Sequence, residues 1–368
     1  MKKLKKNKLL LITALLIVTA AIIWIATAPN RNKTKAFLNR YEITDLTALG
    51  FKYVVAINDK GQVLGRDKQD RICIWDEQNG LTALNIPKEA DCDPETLNNS
   101  GQVAGTFQTT NSQSHAFIWD ANNGLVDLGT LGGKASQVYA MNDSGQVIGF
   151  STDPNEKWHY FLWDSDTAML DLSDPNRFPR PRGINNAGTV VGHIFDGRRC
   201  SASAWDTNRG LVPLHAPHGA HTVADRISNN GKIAGYSITK GNYCNLIIWD
   251  DPNNFRDLGR ISKNLCPSIS SINDAGQIIG SVCQRSMFSY RSSVFFFSDE
   301  TGLINLGDLP RYKLTPSWWQ PPWLSASTSI RPLRRPDMNN RGQILHVMKA
   351  KDGQYHTFLM TPKKTPKE

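Results

Sequence analysis

The residues best suited to chemistry are crowded into three stretches. In Trp318-Trp319-Gln320-Pro321-Pro322-Trp323 three indoles fall within six positions, flanked by Arg311, Lys313, Arg331, Arg334 and Arg335. Trp318, Trp319 and Trp323 beside proline make a stacking platform for a sugar or an anchor for a protein partner, with Arg334 and Arg335 around it. The same rings could instead fold down as a lid, because so apolar a loop must be covered by something. The second stretch spaces His215, His218 and His221 three apart. Imidazoles bind zinc or copper, but this spacing matches no metal motif, so a solvated loop and no cofactor are expected. The third, Arg177-Phe178-Pro179-Arg180-Pro181-Arg182, could make one face positive and suit an acidic ligand. No Gly-x-Ser-x-Gly elbow, His-Glu-x-x-His pair or phosphate loop occurs, and no catalytic residue is assigned.

What must position these stretches is a repeat. The phrase Asn142-Asp143-Ser144-Gly145-Gln146-Val147-Ile148-Gly149 returns along the chain, with its first glycine at Gly61, Gly101, Gly145, Gly188, Gly231, Gly276 and Gly342. A period in the low forties marks a propeller or a solenoid. Within one unit, an apolar alternating segment ends at the Asn-Asp-x-Gly turn, and a second strand follows as a hairpin. A third strand ends in Trp163-Asp164, and a fourth begins at Met169. Four strands, seven units and no helical periodicity predict a seven-bladed β-propeller.

The ends support closure into a ring. The seventh unit stops after His356-Thr357-Phe358-Leu359-Met360, without a fourth strand. The missing strand stands at the other end, where Tyr41-Glu42-Ile43-Thr44-Asp45-Leu46 matches the fourth strand of other units. An N-terminal strand completing the last blade removes the exposed edges. Trp75, Trp119, Trp163, Trp205 and Trp249 are then expected to pack between blades, and the aspartates after them to bond their own turns. The Asp-x-Gly turns lack the ligand spacing of a calcium loop.

His115-Ala116-Phe117-Ile118-Trp119-Asp120, with the Asn-Asp-x-Gly-Gln-Val-x-Gly phrase, resembles the HAF-repeat family of bacterial extracytoplasmic proteins. The likeness covers residues 41–361, with looser echoes at Tyr160-Phe161 and His356-Thr357-Phe358. It implies a repeat type and an extracytoplasmic location, and it brings no catalytic residues.

The formal net charge of +9 is localised: residues 1–35 hold eight Lys and Arg and no acid, and residues 36–362 sum to −1. A neutral body excludes general polyanion binding, and no nucleic-acid partner is expected. Twenty uncharged residues, Leu9 to Ala28, follow five lysines and match a ~30 Å hydrocarbon core. The expected organisation is a cytoplasmic stub at 1–8, a transmembrane signal anchor at 9–28, a linker at 29–40, the propeller at 41–361 with an insertion at 311–335, and a basic tail at 362–368. The lysine bias sets the propeller in the periplasm or exterior, on the bacterial cytoplasmic membrane. A cleaved signal is the alternative, since Ala26-Thr27-Ala28 is small-x-small.

Six cysteines fit an oxidising compartment. About the turn Asn273-Asp274-Ala275-Gly276, hairpin partners sum to 549, which pairs Cys266 with Cys283 within disulfide range. Cys200 with Cys244, and Cys73 with Cys92, are the remaining candidate pairs.

The expected function is a membrane-anchored binding module for a protein or cell-envelope glycan. A hydrolase or lyase working on polysaccharide or peptide in the central channel, and an assembly scaffold, are the alternatives. The anchor has a direct test: the full chain should stay with membranes after a carbonate wash, and a mature protein starting near Pro29 would refute it.

Overall fold

The computed structural model describes residues 33–86, 90–172, 180–216, 221–239, 241–263, 267–285, 289–308, 312–313, 336–350 and 352–364. The basic stub, the anchor at 9–28 and most of the insertion lie outside the described residues. Among the described residues, no helix is long and apolar enough to cross a membrane.

Each unit folds into one antiparallel sheet, and seven such sheets form. Their inner strands are Phe51–Ile57, Asp93–Leu97, Ser136–Met141, Arg180–Ile184, His221–Ile227, Pro267–Ile272 and Asp337–Met338, which we number as blades 1 to 7. Each inner strand packs beside the next, and the seventh returns to the first, so the ring is closed. Blade 6 gains a short extra strand at Tyr312–Lys313. Blade 7 is completed by the N-terminal strand Tyr41–Asp45, which pairs with Tyr355–Pro362 from Tyr41 opposite Pro362 to Asp45 opposite Phe358. A helix at residues 33–38 lies outside this strand, with Phe37 packed 4.7 Å from the ring of Phe296.

Apolar residues alternate along the strands, so each sheet has two apolar faces and the core is a series of seams between blades. The repeated tryptophans fill these seams toward the preceding blade. Trp119 packs with Leu64 and Val55, Trp163 with Ala104 and Ala116, and Trp205 with Ile148 and Leu162. Trp249 is fully buried against Val191 and Ala202. An aspartate after the indole caps its own turn, as Asp120 accepts from the amides of Asn122 and Asn123 at 2.9 and 2.8 Å, and in blade 5 this is Asp251, two residues after Trp249.

The Asn-Asp-x-Gly phrase does more than turn the chain. Asn142 Oδ1 accepts from the Gln146 amide at 2.9 Å, which fixes the hairpin, while Gly145 takes a φ of 83°. Asn142 Nδ2 then donates to the Asn185 carbonyl of the next blade at 3.0 Å. Asn58 donates in the same way to Asn98, Asn98 to Asn142, Asn185 to Ser228, Asn273 to Asn339, and Asn339 to Asn58, at 2.8–3.4 Å. The next residue builds a second ring. The amides of Asp59, Asn99, Asp143, Asn186, Asp274 and Asn340 each donate to the side-chain oxygen of the equivalent residue one blade on, at 2.7–3.1 Å. Where Ser228 replaces the asparagine, Asn230 takes over and donates to the Asp274 carbonyl at 2.7 Å. The repeated glutamine ties this turn to the Trp-Asp turn of its own blade, as Gln146 Nε2 donates to Asp164 Oδ2 at 3.0 Å.

The glycine that ends the phrase has a steric origin. A Cβ on Gly149 would stand 2.0 Å from the Gln137 carbonyl and 2.7 Å from the Phe161 ring. The histidine of His-Ala-Phe is also placed by structure. His115 Nδ1 lies 2.9 Å from Asp127 and His159 Nδ1 lies 2.8 Å from Asp171, each on the fourth strand of its blade. In blade 7 the same pair joins the chain's two ends, with His356 Nδ1 2.6 Å from Asp45 and Nε2 3.1 Å from Asp352.

That closing pair carries a pH dependence. Hydrogen bonding to Asp45 raises the His356 pKa. Burial acts to raise Asp45, but hydrogen bonds from His356 and the amides of Ala48 and Thr47 outweigh it and leave Asp45 lowered. The histidine's contribution is full below its unfolded pKa of about 6.5 and is lost as pH rises through the folded value. The aspartate's is present above about 3.9 and is lost as pH falls through its folded value. Urea unfolding of wild type and His356→Gln should therefore differ most between about pH 4 and 6.5 and converge toward pH 9. A difference that grows above pH 7 would contradict this reading of the closure.

Candidate functional site

The turns of the asparagine rings and the Trp-Asp turns share one face. On the other face the blades differ. In blades 1 to 6 the inner strand bulges opposite the second strand at Val55, Glu95, Tyr139, Arg182, Asp225 and Ser270, blade 1 having a further bulge at Lys52. The six equivalent bulges each stand six residues before the turn glycine. A bulge re-aims a side chain and breaks the ladder locally, and here it falls where the residue type changes in every blade.

Around blades 4 to 6 and at the ring closure, the charges are committed to the scaffold. The Arg226 guanidinium donates to the carbonyls of Arg182 and Ser270 at 2.8 Å each and to that of Asp225 at 2.7 Å, so one cation ties three blades. Asp225 accepts from the Ile269 amide at 3.1 Å, with Arg182 Nε 3.9 Å away. Asp337 accepts from the amides of Ile57 at 3.1 Å and Met338 at 2.9 Å. Burial pushes its pKa up to about 6 against these bonds and the charge of Arg226. Two buried histidines are held neutral. Burial, reinforced by Arg182 and Arg180, lowers His193 to about 4, and burial lowers His346 to about 4. His346 stands where the other six blades carry the crowded glycine, and in blade 7 the described inner strand is only Asp337–Met338.

A different surface opens at the seam between blades 3 and 4. On the third strand of blade 3, Trp158, Tyr160 and Leu162 alternate toward blade 4. Leu162 is buried with Ile148, Ile184 and Val190, with Tyr160 partly buried beside them, whereas Trp158 is 56% exposed. The seam is thus closed toward the turn face and splayed toward the bulge face. Phe150, opposite Tyr160, has its ring 4.8 Å from Trp158 and 5.2 Å from Tyr139, itself 42% exposed. Tyr139, Phe150 and Trp158 form an aromatic stripe from the inner strand outward. The inner strand of blade 4, bearing Arg180 and Arg182, packs beside the inner and second strands of blade 3. Burial raises the Tyr160 pKa, and the charges of Arg180 and Arg182 oppose the rise. Arg180 is exposed and pairs with no acid among the described residues.

The sites expected from sequence fare unevenly. Trp318, Trp319, Trp323, Arg334 and Arg335 lie outside the described residues, as do Arg177 and His218. His221 Nδ1 accepts from the Cys200 amide at 3.3 Å, and the His215 carbonyl accepts from the Trp249 indole. Among the described residues no three His, Cys, Asp or Glu groups are placed to hold a metal ion. Of the arginine run, Arg180 and Arg182 are placed beside the aromatic stripe.

Two cysteine pairings are corrected. Cys73, Cys92, Cys200 and Cys244 form no disulfide. Cys73 packs in the seam between blades 7 and 1 and Cys92 in that between blades 1 and 2. Burial pushes their pKa values to about 12 and about 11. Cys200 and Cys244 hold equivalent places on adjacent sheets, and a sheet spacing of ~10 Å exceeds the reach of a disulfide. In blade 6 the hairpin sets Pro267 opposite Val282, so the next positions outward are 266 and 283, of which Cys266 lies outside the described residues.

No family model matches the chain, and no curated protein matches it. Solved structures do. Virginiamycin B lyase from Staphylococcus aureus is 14% identical with a TM-score of 0.50, over 87% of this chain and 98% of that one. Puromycin hydrolase is 14% identical with a TM-score of 0.48, over 84% of this chain and 50% of that one. The β-propeller domain of the trilobed protease from Pyrococcus furiosus is 10% identical with a TM-score of 0.48, over 84% and 95%. Identities this low show the fold alone. The chain is a seven-bladed β-propeller whose last blade is closed by its N-terminal strand.

Proposed function

We propose that this chain is a membrane-anchored HAF-repeat protein outside the cytoplasm, and that its bulge face binds a protein or cell-envelope glycan. One contrast carries the reading. Arg226, Asp225 and Asp337 are bonded to backbone groups of neighbouring blades, while Trp158 and Tyr139 of the aromatic stripe on the same side are exposed. Groups already saturated by the scaffold are poor acids, bases or nucleophiles, whereas exposed rings on a rigid sheet suit recognition. The Trp318, Trp319 and Trp323 insertion, with Arg334 and Arg335, follows from the end of blade 6 and is the second binding element of the proposal.

A hydrolase or lyase is the second reading. It is favoured by the raised pKa of Asp337 and by a structural neighbour that is a lyase by name. Purified full chain in detergent, offered fractionated envelope glycans and proteins, separates the two. Retention of a fraction without product release, weakened in a Trp318→Ala/Trp319→Ala variant, is the expected result. Product release that disappears in Asp337→Asn would replace the binding module with an enzyme.

A further inference from the structure

The residues of the blade 3 and 4 seam are not explained by the repeat. Five residues before the repeated tryptophan stand Asp70, Ser114, Cys200 and Cys244 in blades 1, 2, 4 and 5, and Trp158 in blade 3. Five residues after the turn glycine, where blade 3 has Phe150, other blades have Arg66, Thr106, His193, Tyr236 and Ser281. No shared packing role therefore demands the Tyr139, Phe150 and Trp158 stripe, and Trp158 gives 56% of its surface to solvent. An exposed indole backed by two further rings costs solubility and is a marker of binding.

The chemistry beside it narrows the ligand. Arg180 is exposed and without an acidic partner among the described residues, and Arg182 has only a loose contact with Asp225 at 3.9 Å. Guanidinium groups take carboxylate, sulfate or phosphate through two parallel bonds. The body around them is close to neutral, so this positive spot is local. The backbone of the three inner strands of blade 3 is paired within its own sheet, so no free strand edge is offered to an extended peptide here. A pyranose has an apolar C–H face for the rings and can carry the anion for the arginines.

We infer that the seam between blades 3 and 4 on the bulge face binds an anionic sugar, its ring stacked on Trp158 and its acidic substituent held by Arg180 and Arg182. This rests on the binding-module reading and gives it a ligand class and a place. Phe150 and Tyr139 back the indole, and Tyr160 forms the floor of the seam. The acid could be a uronate carboxylate or a sulfate ester, and both present the oxygen pair the guanidinium fork requires.

The test uses full chain in detergent at physiological salt, titrated by tryptophan fluorescence and calorimetry. The probes are an oligogalacturonate, a sulfated oligogalactan, a neutral oligogalactan of equal length, and poly-L-glutamate. One of the two anionic sugars should bind at least about tenfold more tightly than the neutral sugar and than poly-L-glutamate. Trp158→Ala and Arg180→Ser should each weaken that binding by about tenfold while leaving the thermal unfolding midpoint unchanged, because both side chains are exposed. The single variants should keep wild-type circular dichroism, which separates lost recognition from lost folding. Equal binding of poly-L-glutamate would overturn the sugar in favour of an acidic peptide. Binding of another envelope component that survives both substitutions would overturn this site and leave the binding-module reading standing.

Discussion

The molecule depends on a hydrogen bond repeated around its axis, from an asparagine Nδ2 to the backbone carbonyl of the equivalent asparagine one blade on. The same side chain fixes its own hairpin through Oδ1, so a single residue type forms the turn and joins it to the next blade. These amides are buried, and a buried amide left unpaired is costly, so every link constrains the next. The ring closes where Asn339 donates to Asn58, between the ends of the repeat. Its one substitution, Ser228, is compensated by Asn230 two residues later.

Because this ring and the aspartate and glutamine contacts around it recur in almost every blade, one face of the propeller has little freedom to vary. Variation collects on the other face, at the bulges and the links between second and third strands. Some of it still serves closure, as where Arg226 spans three blades and where Asp337 takes the Ile57 amide beside the short inner strand of blade 7. At the seam of blades 3 and 4 the variable face offers exposed rings beside an arginine with no acidic partner among the described residues. A uniform face that closes the ring leaves the opposite face free to specialise.

Much of this architecture is legible in the chain. The glycine spacing gives seven units, the alternation gives strands, and Tyr41-Glu42-Ile43-Thr44-Asp45 matches the strand missing from the last unit. The partners of the asparagines are not legible, because they lie about forty residues away in a neighbouring sheet, and local turn chemistry explains the same residue. The His-Ala-Phe histidine hides its role similarly, since its aspartate lies twelve residues on in blades 2 and 3 and at the opposite end of the chain in blade 7. The Cys200–Cys244 pairing fails because equivalent positions in a repeat are neighbours in number of blades and still a full sheet spacing apart. The aromatic stripe was missed because Tyr139, Phe150 and Trp158 are scattered in sequence and meet only through strand register. Its available signal was a tryptophan standing five residues ahead of the repeated one.

The most direct test of this account is the urea unfolding free energy of Asn142→Ala. The substitution leaves the Gln146 amide without its acceptor and removes the link to the Asn185 carbonyl, which keeps only the Gly188 amide of its own turn, so a loss of roughly 1–3 kcal/mol in a single transition is predicted. Stability within about 0.5 kcal/mol of wild type, the usual range for a surface change, would show that the asparagine ring does not hold the blades together.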